Sequence, residues 1–229
     1  MRGLFITGTD TGAGKSVLSA ALVAAMVEAG ERVRPYKPVL TGLDEEPARP
    51  WPADDELLAS LAGMTREDVA PERFGLAASP HLAAQLAGGV LEPESLIARA
   101  RAAAADGDVL LVEGVGGLLV PLRADYSVRD LARDLGLALL IAARPGLGTI
   151  SHTLLTVEAA RSVGLSIAAV VLTPWPQEPT VVERSNRETI GLLADVEVWV
   201  LPTLAGPDRA ALSQAGNALP WREWLDGRR

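Results

Sequence analysis

The 229-residue chain contains no cysteine, which excludes a disulfide framework, a thiolate nucleophile and a sulfur-ligated metal centre. Aromatic residues make up only 4% of it against 48% hydrophobic overall, so the core must be aliphatic. Positive charge is in deficit: Lys and Arg number 21 against 29 Asp and Glu, for a net charge of −8. A protein that grips a phosphate backbone carries a basic excess, so nucleic acid is not expected as a main partner. The longest apolar stretches, such as residues 135–143 and 167–172, fall well short of the roughly 20 residues needed to cross a bilayer. Arg2 is followed by only a short apolar run before Asp10, so no signal peptide is expected. The expectation is a soluble cytoplasmic protein with no membrane partner. The two histidines, His81 and His152, lack paired ligand spacing and are read as ordinary core or surface residues rather than a transition-metal site.

What the chain does have is a glycine-rich turn at a strand-to-helix switch. Leu4, Phe5 and Ile6 read as a buried strand, and residues 17–29 carry a helical apolar period. Between them lies Thr7-Gly8-Thr9-Asp10-Thr11-Gly12-Ala13-Gly14-Lys15-Ser16. Strand, Gly-rich loop, Gly-Lys-Ser and helix is the layout of a P-loop. The glycines let backbone N–H groups turn inward around an anion, and the helix start adds unpaired donors and the positive end of its dipole. Lys15 can then reach the β- and γ-phosphates, and the Ser16 hydroxyl can ligate Mg²⁺. Five residues, Thr9 to Ala13, separate Gly8 from Gly14-Lys15, one more than the usual four.

Strand and helix patterns alternate along the rest of the chain. A second strand ends at Tyr36-Lys37-Pro38-Val39, followed by a Pro- and acid-rich loop over residues 43–53. Leu57, Leu58 and Leu61 mark a helix entered at Asp54-Asp55, and residues 82–86 and 96–105 are further helical pieces. Residues 109–112 form an apolar strand ended by Glu113-Gly114-Val115-Gly116-Gly117. Ser127 and Asp130 have the spacing of a capping box. Strands are expected over 137–143, 167–172 and 196–201, and helices over 148–163 and 181–193. Continuous apolar strands separated by helices predict a P-loop NTPase-like α/β fold, a mostly parallel sheet with helices on both faces, in a single domain over residues 1–229.

In such a sheet ligands gather at the carboxyl ends of the strands. Six segments are expected there: residues 7–16, 37–42, 113–117, 144–151, 173–175 and 202–204. Glu113 emerges from a buried strand, where a carboxylate is costly without a cation, and is placed to hold Mg²⁺ beside Ser16. Asp54 and Asp55 read either as helix N-capping residues or, for Asp54, as an acid folded over the phosphates. Lys37 reads either as a solvated lysine or as a cation at the crevice. The glycine-rich helix start at residues 146–151 is a second candidate anion site, suited to a substrate carboxylate. Trp221 and Trp224 are expected to pin the tail to the body.

Together these stretches resemble the dethiobiotin synthetase family. The resemblance is carried by the loop from Thr7 to Ser16 with its extra residue and by Tyr36-Lys37-Pro38-Val39-Leu40-Thr41-Gly42. Ser79-Pro80-His81, the run from Val112 to Leu122, Gly146-Leu147-Gly148-Thr149-Ile150-Ser151-His152 and Ser185-Asn186-Arg187 complete it, in the family's order. It implies an ATP- and Mg²⁺-dependent ligase that closes 7,8-diaminopelargonic acid and CO₂ (from bicarbonate) into dethiobiotin, through a carbamate and a carbamic–phosphoric anhydride. It also implies roles. Gly12, Ala13, Gly14, Lys15, Ser16 and Val17 would hold the phosphates, with Gly114, Val115 and Gly116 bordering the nucleotide. Ser16, Asp54 and Glu113 would ligate Mg²⁺, and Lys15 and Lys37 would be the catalytic cations. Thr41 would touch the substrate. Gly148, Thr149, Ile150 and Ser151 would receive the substrate carboxylate across a homodimer interface. Thr173, Pro174, Pro202, Thr203 and Leu204 would border the base. The chain departs from the family's common residues at Ser16, Thr41, Ser151 and Thr173; at Thr173 an asparagine that reads the adenine edge is common.

The rival class is a P-loop ATPase switch of the partition or septum-site type. Such proteins carry an extra lysine early in the loop, where this chain has Asp10, and often a basic amphipathic tail, which residues 214–229 are not. An amide-forming ligase of cobalamin synthesis would carry a glutaminase cysteine, and the chain has none.

Overall fold

A computed structural model describes residues 1–45, 51–104 and 108–227. The chain begins with β1 (Gly3–Gly8), α1 (Lys15–Glu28), β2 (Val33–Tyr36) and β3 (Val39–Leu40). Then come α2 (Asp54–Ala62), α3 (Arg66–Val69), β4 (Glu72–Arg73), α4 (Pro80–Leu86) and α5 (Pro93–Ala103). The middle holds β5 (Val109–Gly117), β6 (Pro121–Arg123), β7 (Tyr126–Ser127), α6 (Val128–Leu135) and β8 (Ala138–Ala143). The remainder is α7 (Thr149–Arg161), β9 (Ile167–Trp175), α8 (Val181–Ala194), β10 (Val198–Pro202), α9 (Arg209–Asn217) and α10 (Trp221–Leu225).

Six strands form one sheet in the order β10-β9-β8-β1-β5-β2, and every pairing in it is parallel. Successive side chains of a strand point to opposite faces, and here both faces are covered. Leu4 and Ile6 join Val109, Leu111, Leu140 and Ala142 in a core shared with α1, α2, α9 and α10. Phe5 joins Leu110, Val112, Leu139 and Ile141 in a second core on the side of α4–α8. That is why the strands read as unbroken apolar runs. The central position of β1 puts the loop after it in the middle of the sheet's carboxyl edge.

Helix α1 is buried almost all round, between the sheet and the flanking α2 and α9. Its approach to α9 depends on Gly216: a Cβ there would collide with the Ala21 carbonyl. Trp221 and Trp224 are buried, pinning the tail as the sequence suggests. The capping box forms, with the Ser127 hydroxyl accepting from the Asp130 N–H and the Asp130 carboxylate accepting from the Ser127 N–H.

Several boundaries differ from expectation. The second strand stops at Tyr36; the Lys37 N–H instead donates to the Val69 carbonyl at 2.8 Å, and Val39–Leu40 pairs separately with β4. β5 does not end at Glu113 but runs on to Gly117, which pairs with Gly8 beyond an irregularity in register. β9 likewise reaches Trp175, so Thr173 and Pro174 lie within the strand. Helix α5 ends at Ala103, and residue 105, like residues 46–50 of the acidic loop, lies outside the described residues.

Candidate active site

A cavity of about 810 Å³ opens over the loop between β1 and α1. Gly14 stands at the helix N-cap with φ 92° and packs under β9: a Cβ there would lie 2.5 Å from the Thr173 methyl. Only glycine meets both conditions, the left-handed backbone and the close approach. Lys15 opens α1 and is 7% exposed; its Nζ donates to the Asp10 carbonyl at 3.1 Å. Burial, followed by the neighbouring Lys37 charge, pulls its pKa down to about 8. From outside, the Arg144 guanidinium donates to the Thr11 carbonyl at 2.8 Å and faces Asp10 at 3.7 Å.

Beside Lys15 lies a buried charge cluster assembled from three distant stretches. Lys37 is 3% exposed, not solvated. Its Nζ donates to Asp54 Oδ2 at 2.7 Å and to Glu113 Oε1 at 2.5 Å. Burial pushes the ammonium down, but Asp54 and then Glu113 outweigh it and hold its pKa above the ordinary lysine value. Burial likewise pushes Asp54 up, but the Lys37 charge, the hydrogen bonds from Lys37 and Ser16 and the Lys15 charge together outweigh it and leave Asp54 below its ordinary value. The capping alternative for the two aspartates is not what forms: Ala53 occupies the α2 N-cap, with no side-chain cap bond. Asp55 is fully buried and anchored by Arg66 and Arg73, both at 3.0 Å, which fixes the helix start and aims Asp54 at Lys37.

The Ser16 hydroxyl donates to Glu113 Oε1 at 2.9 Å. Glu113 Oε2 is buried without a hydrogen-bond partner. An orphaned carboxylate oxygen next to a P-loop serine and a second acid fits Mg²⁺, which takes one or two carboxylates and fills its remaining positions with phosphate oxygens and water. Among the described residues no group of three or more His, Asp or Glu forms a self-contained metal cage. A cation here would therefore depend on the nucleotide's oxygens.

Gly12, Gly14, Ser16, Val17, Thr41, Val115, Gly116, Thr173, Pro174, Pro202, Thr203 and Leu204 line the cavity together with Lys15, Lys37 and Asp54. Glu113 stands behind this lining, and Ala13 and Gly114 are buried off it, Gly114 against Phe5 and Val128. Gly148, Thr149, Ile150 and Ser151 do not line it. Five of the six expected strand-end segments line the cavity; of the one after β8 only Arg144 reaches it, through the Thr11 carbonyl, and residues 145–151 lie off it. There Asn186 donates to the Pro145 and Gly146 carbonyls at 2.9 and 3.2 Å and shapes the turn into α7. Leu147 is 98% exposed and Leu155 66%. Both histidines are exposed.

Sequence reasoning gave no role to the residues of three further parts of the site. Leu40, Ala77 and Ala78 give an apolar wall, Trp51 and Pro52 close one side, and Arg144 braces the loop. Ser79-Pro80 pointed to the first of these; the Trp-Pro pair in a charged loop was the available signal for the second.

The family model described as an AAA domain matches residues 2–205. The ATP-dependent dethiobiotin synthetase BioD of Mycobacterium avium (strain 104) is 42% identical over 232 residues, covering 97% of this chain and 96% of its own. That of Anaeromyxobacter sp. (strain Fw109-5) is 42% identical over 205 residues, covering 86% and 91%. Among solved structures, a Cyanothece McdA–ATP complex aligns with TM-score 0.53 at 15% identity, covering 99% of this chain and 94% of that one. A ParA family ATPase from Chlorobium tepidum gives TM-score 0.50 at 14% identity, covering 95% and 89%. These two likenesses are of fold.

Proposed function

The chain belongs to the ATP-dependent dethiobiotin synthetase family, and from that premise we propose that the cavity over its P-loop is where the ureido ring of dethiobiotin closes. It is an ATP-dependent ligase of biotin biosynthesis. The observation that carries the assignment of the site is the Lys37 ammonium held between Asp54 and Glu113, next to Lys15, on the floor of a cavity with an apolar wall. The cluster concentrates cations where a transferring phosphoryl group needs them and provides no side-chain nucleophile, as suits a reaction that needs positioning and charge neutralisation.

One amine of 7,8-diaminopelargonic acid adds to CO₂, loses a proton and becomes a carbamate. A carbamate oxygen attacks the γ-phosphorus of ATP and ADP leaves, giving a carbamic–phosphoric anhydride. The second amine attacks the carbonyl carbon, loses a proton and expels phosphate. In this scheme the N–H groups of residues 12–17 cradle the phosphates, and Lys15 and Lys37 face the developing negative charge. Thr41 with Leu40, Ala77 and Ala78 flanks the substrate chain. Ser16, Asp54 and Glu113 would hold Mg²⁺, which would supply further neutralisation of the phosphates.

The start of α7 completes the site in trans. Gly148, Thr149, Ile150 and Ser151 lie off the cavity and carry exposed Leu147 and Leu155 beside them, so we assign them to the substrate carboxylate bound by a second copy in a homodimer. The reading places the enzyme in the cytoplasm; among the described residues no helix is long and apolar enough to cross a membrane. The deciding experiment measures ADP release with and without diamine and bicarbonate. Diamine-dependent release is expected; equal release would favour an ATPase switch.

A further inference from the structure

The two ends of the cavity differ in kind. The floor is charged; the far wall, where β9 and β10 end, consists of Thr173, Pro174, Pro202, Thr203 and Leu204. That wall has few donors for the edge of a base. Pro174 and Pro202 have no N–H. The N–H and the hydroxyl of Thr203 both donate to the Trp175 carbonyl, at 3.0 and 3.2 Å. Thr173 is 1% exposed, with its methyl directed at Gly14. A base seated here finds its edge poorly matched, while its two faces remain to be covered.

Trp51 is the one aromatic side chain lining the cavity among the described residues. It is half-buried and packs on the same apolar cluster as Val17, Leu57 and Leu204, each of which also lines the cavity. Leu204 belongs to the base wall, and Val17 follows the Lys15-Ser16 pair that faces the phosphates. An indole already held by such packing loses little freedom when a flat ring settles on it.

We propose that Trp51 is the platform on which the base of the nucleoside triphosphate stacks, against the apolar surface of Val17 and Leu204. The inference rests on the nucleotide site assigned above and names what holds the base there. Because every base has a π-face, such a platform accepts purines and pyrimidines alike. Recognition then lies mainly in the triphosphate, and the ligand class is ribonucleoside triphosphates rather than ATP alone.

The test compares full-length wild type, Trp51→Phe and Trp51→Ala by calorimetric titration with ATP, GTP, CTP and inorganic tripolyphosphate in the presence of Mg²⁺. Thermal unfolding of each variant checks that it is folded. Trp51→Ala should weaken all three nucleotides by similar factors, on the order of tenfold to a hundredfold, and leave tripolyphosphate unchanged; Trp51→Phe should retain most of the affinity. Unchanged nucleotide affinity in Trp51→Ala would overturn the proposal, as would an equal loss for tripolyphosphate, which marks loop packing. A loss for ATP alone, which marks edge readout, overturns it too. Wild type that bound no triphosphate would instead overturn the nucleotide site itself.

Discussion

Helices α1 and α7 begin alike and are used differently. Each follows a strand of the same sheet and starts after a glycine in the left-handed region, Gly14 at φ 92° and Gly148 at φ 90°, with no side-chain cap. Around the start of α1 the chain builds everything a triphosphate needs: a buried lysine, two acids, a serine and a cavity. Around the start of α7 it builds only the turn, held by Asn186, and leaves Leu147 and Leu155 in solvent. The same local geometry thus opens into a charged cavity in one case and onto the bare surface in the other. A helix start acquires a ligand from its surroundings, not from its own donors.

The sharpest test of this contrast is at Lys37. Lys37→Ala should lower kcat by roughly a hundredfold or more while ATP binding stays within a few-fold, since Lys15 and the loop are untouched. The variant also leaves Asp54 and Glu113 unpaired, a loss worth about 3–5 kcal/mol for a buried pair. With ATP present throughout, its melting temperature should therefore be low in EDTA and recover with Mg²⁺ more than wild type does; a variant whose stability with ATP is indifferent to Mg²⁺ would remove the metal assignment. At the other helix, Leu147→Asp should turn a dimer into a monomer in sedimentation. It should reduce kcat/KM for the diamine at least about tenfold, because the second copy no longer places the carboxylate, yet leave ATP binding alone. An active wild-type monomer would break the comparison outright.

The base end gives a smaller effect. GTP or CTP should support turnover within about tenfold to a hundredfold of ATP, short of the roughly 10⁴-fold rejection that a dedicated hydrogen-bonding site reaches; kcat/KM for each triphosphate at fixed diamine and bicarbonate decides it. Smallest of all is Gly148→Ala. No side chain lies closer than 4.0 Å to its new Cβ, so the cost is the left-handed backbone alone, about 1–2 kcal/mol in denaturant unfolding. Gly14→Ala adds the collision with Thr173 and should abolish tight nucleotide binding.

The sheet and the P-loop were legible because their signals are local. Runs such as 4–6, 109–112 and 167–172 each state their own burial, and Gly14-Lys15-Ser16 states its own chemistry. The two-residue strands β3 and β4 exist only through each other and leave no periodicity to read. Glu113 and Thr173 were expected just beyond their strands and lie within them, because glycine pairing and a proline-tolerant end let the ladders continue. The Lys37–Glu113 contact joins residues 76 apart, so the sequence offered Lys37 as either solvated or functional and only folding decided. Trp51 was hidden by composition: a loop rich in proline and acid reads as surface, and the one aromatic in it faces a cavity.

The packing of α9 on α1 ties the two ends of the described chain together. Helix α1 carries the P-loop's Lys15 and Ser16, but its buried flank is closed by Leu212, Ala215 and Gly216, and Ser213 and Asn217 donate to Glu28 at its far end. A chain cut at residue 205 would keep every motif that identifies it, with the P-loop helix wet along one side. Truncation at residue 205 would therefore uncover the flank of α1 while leaving all of the recognisable sequence in place.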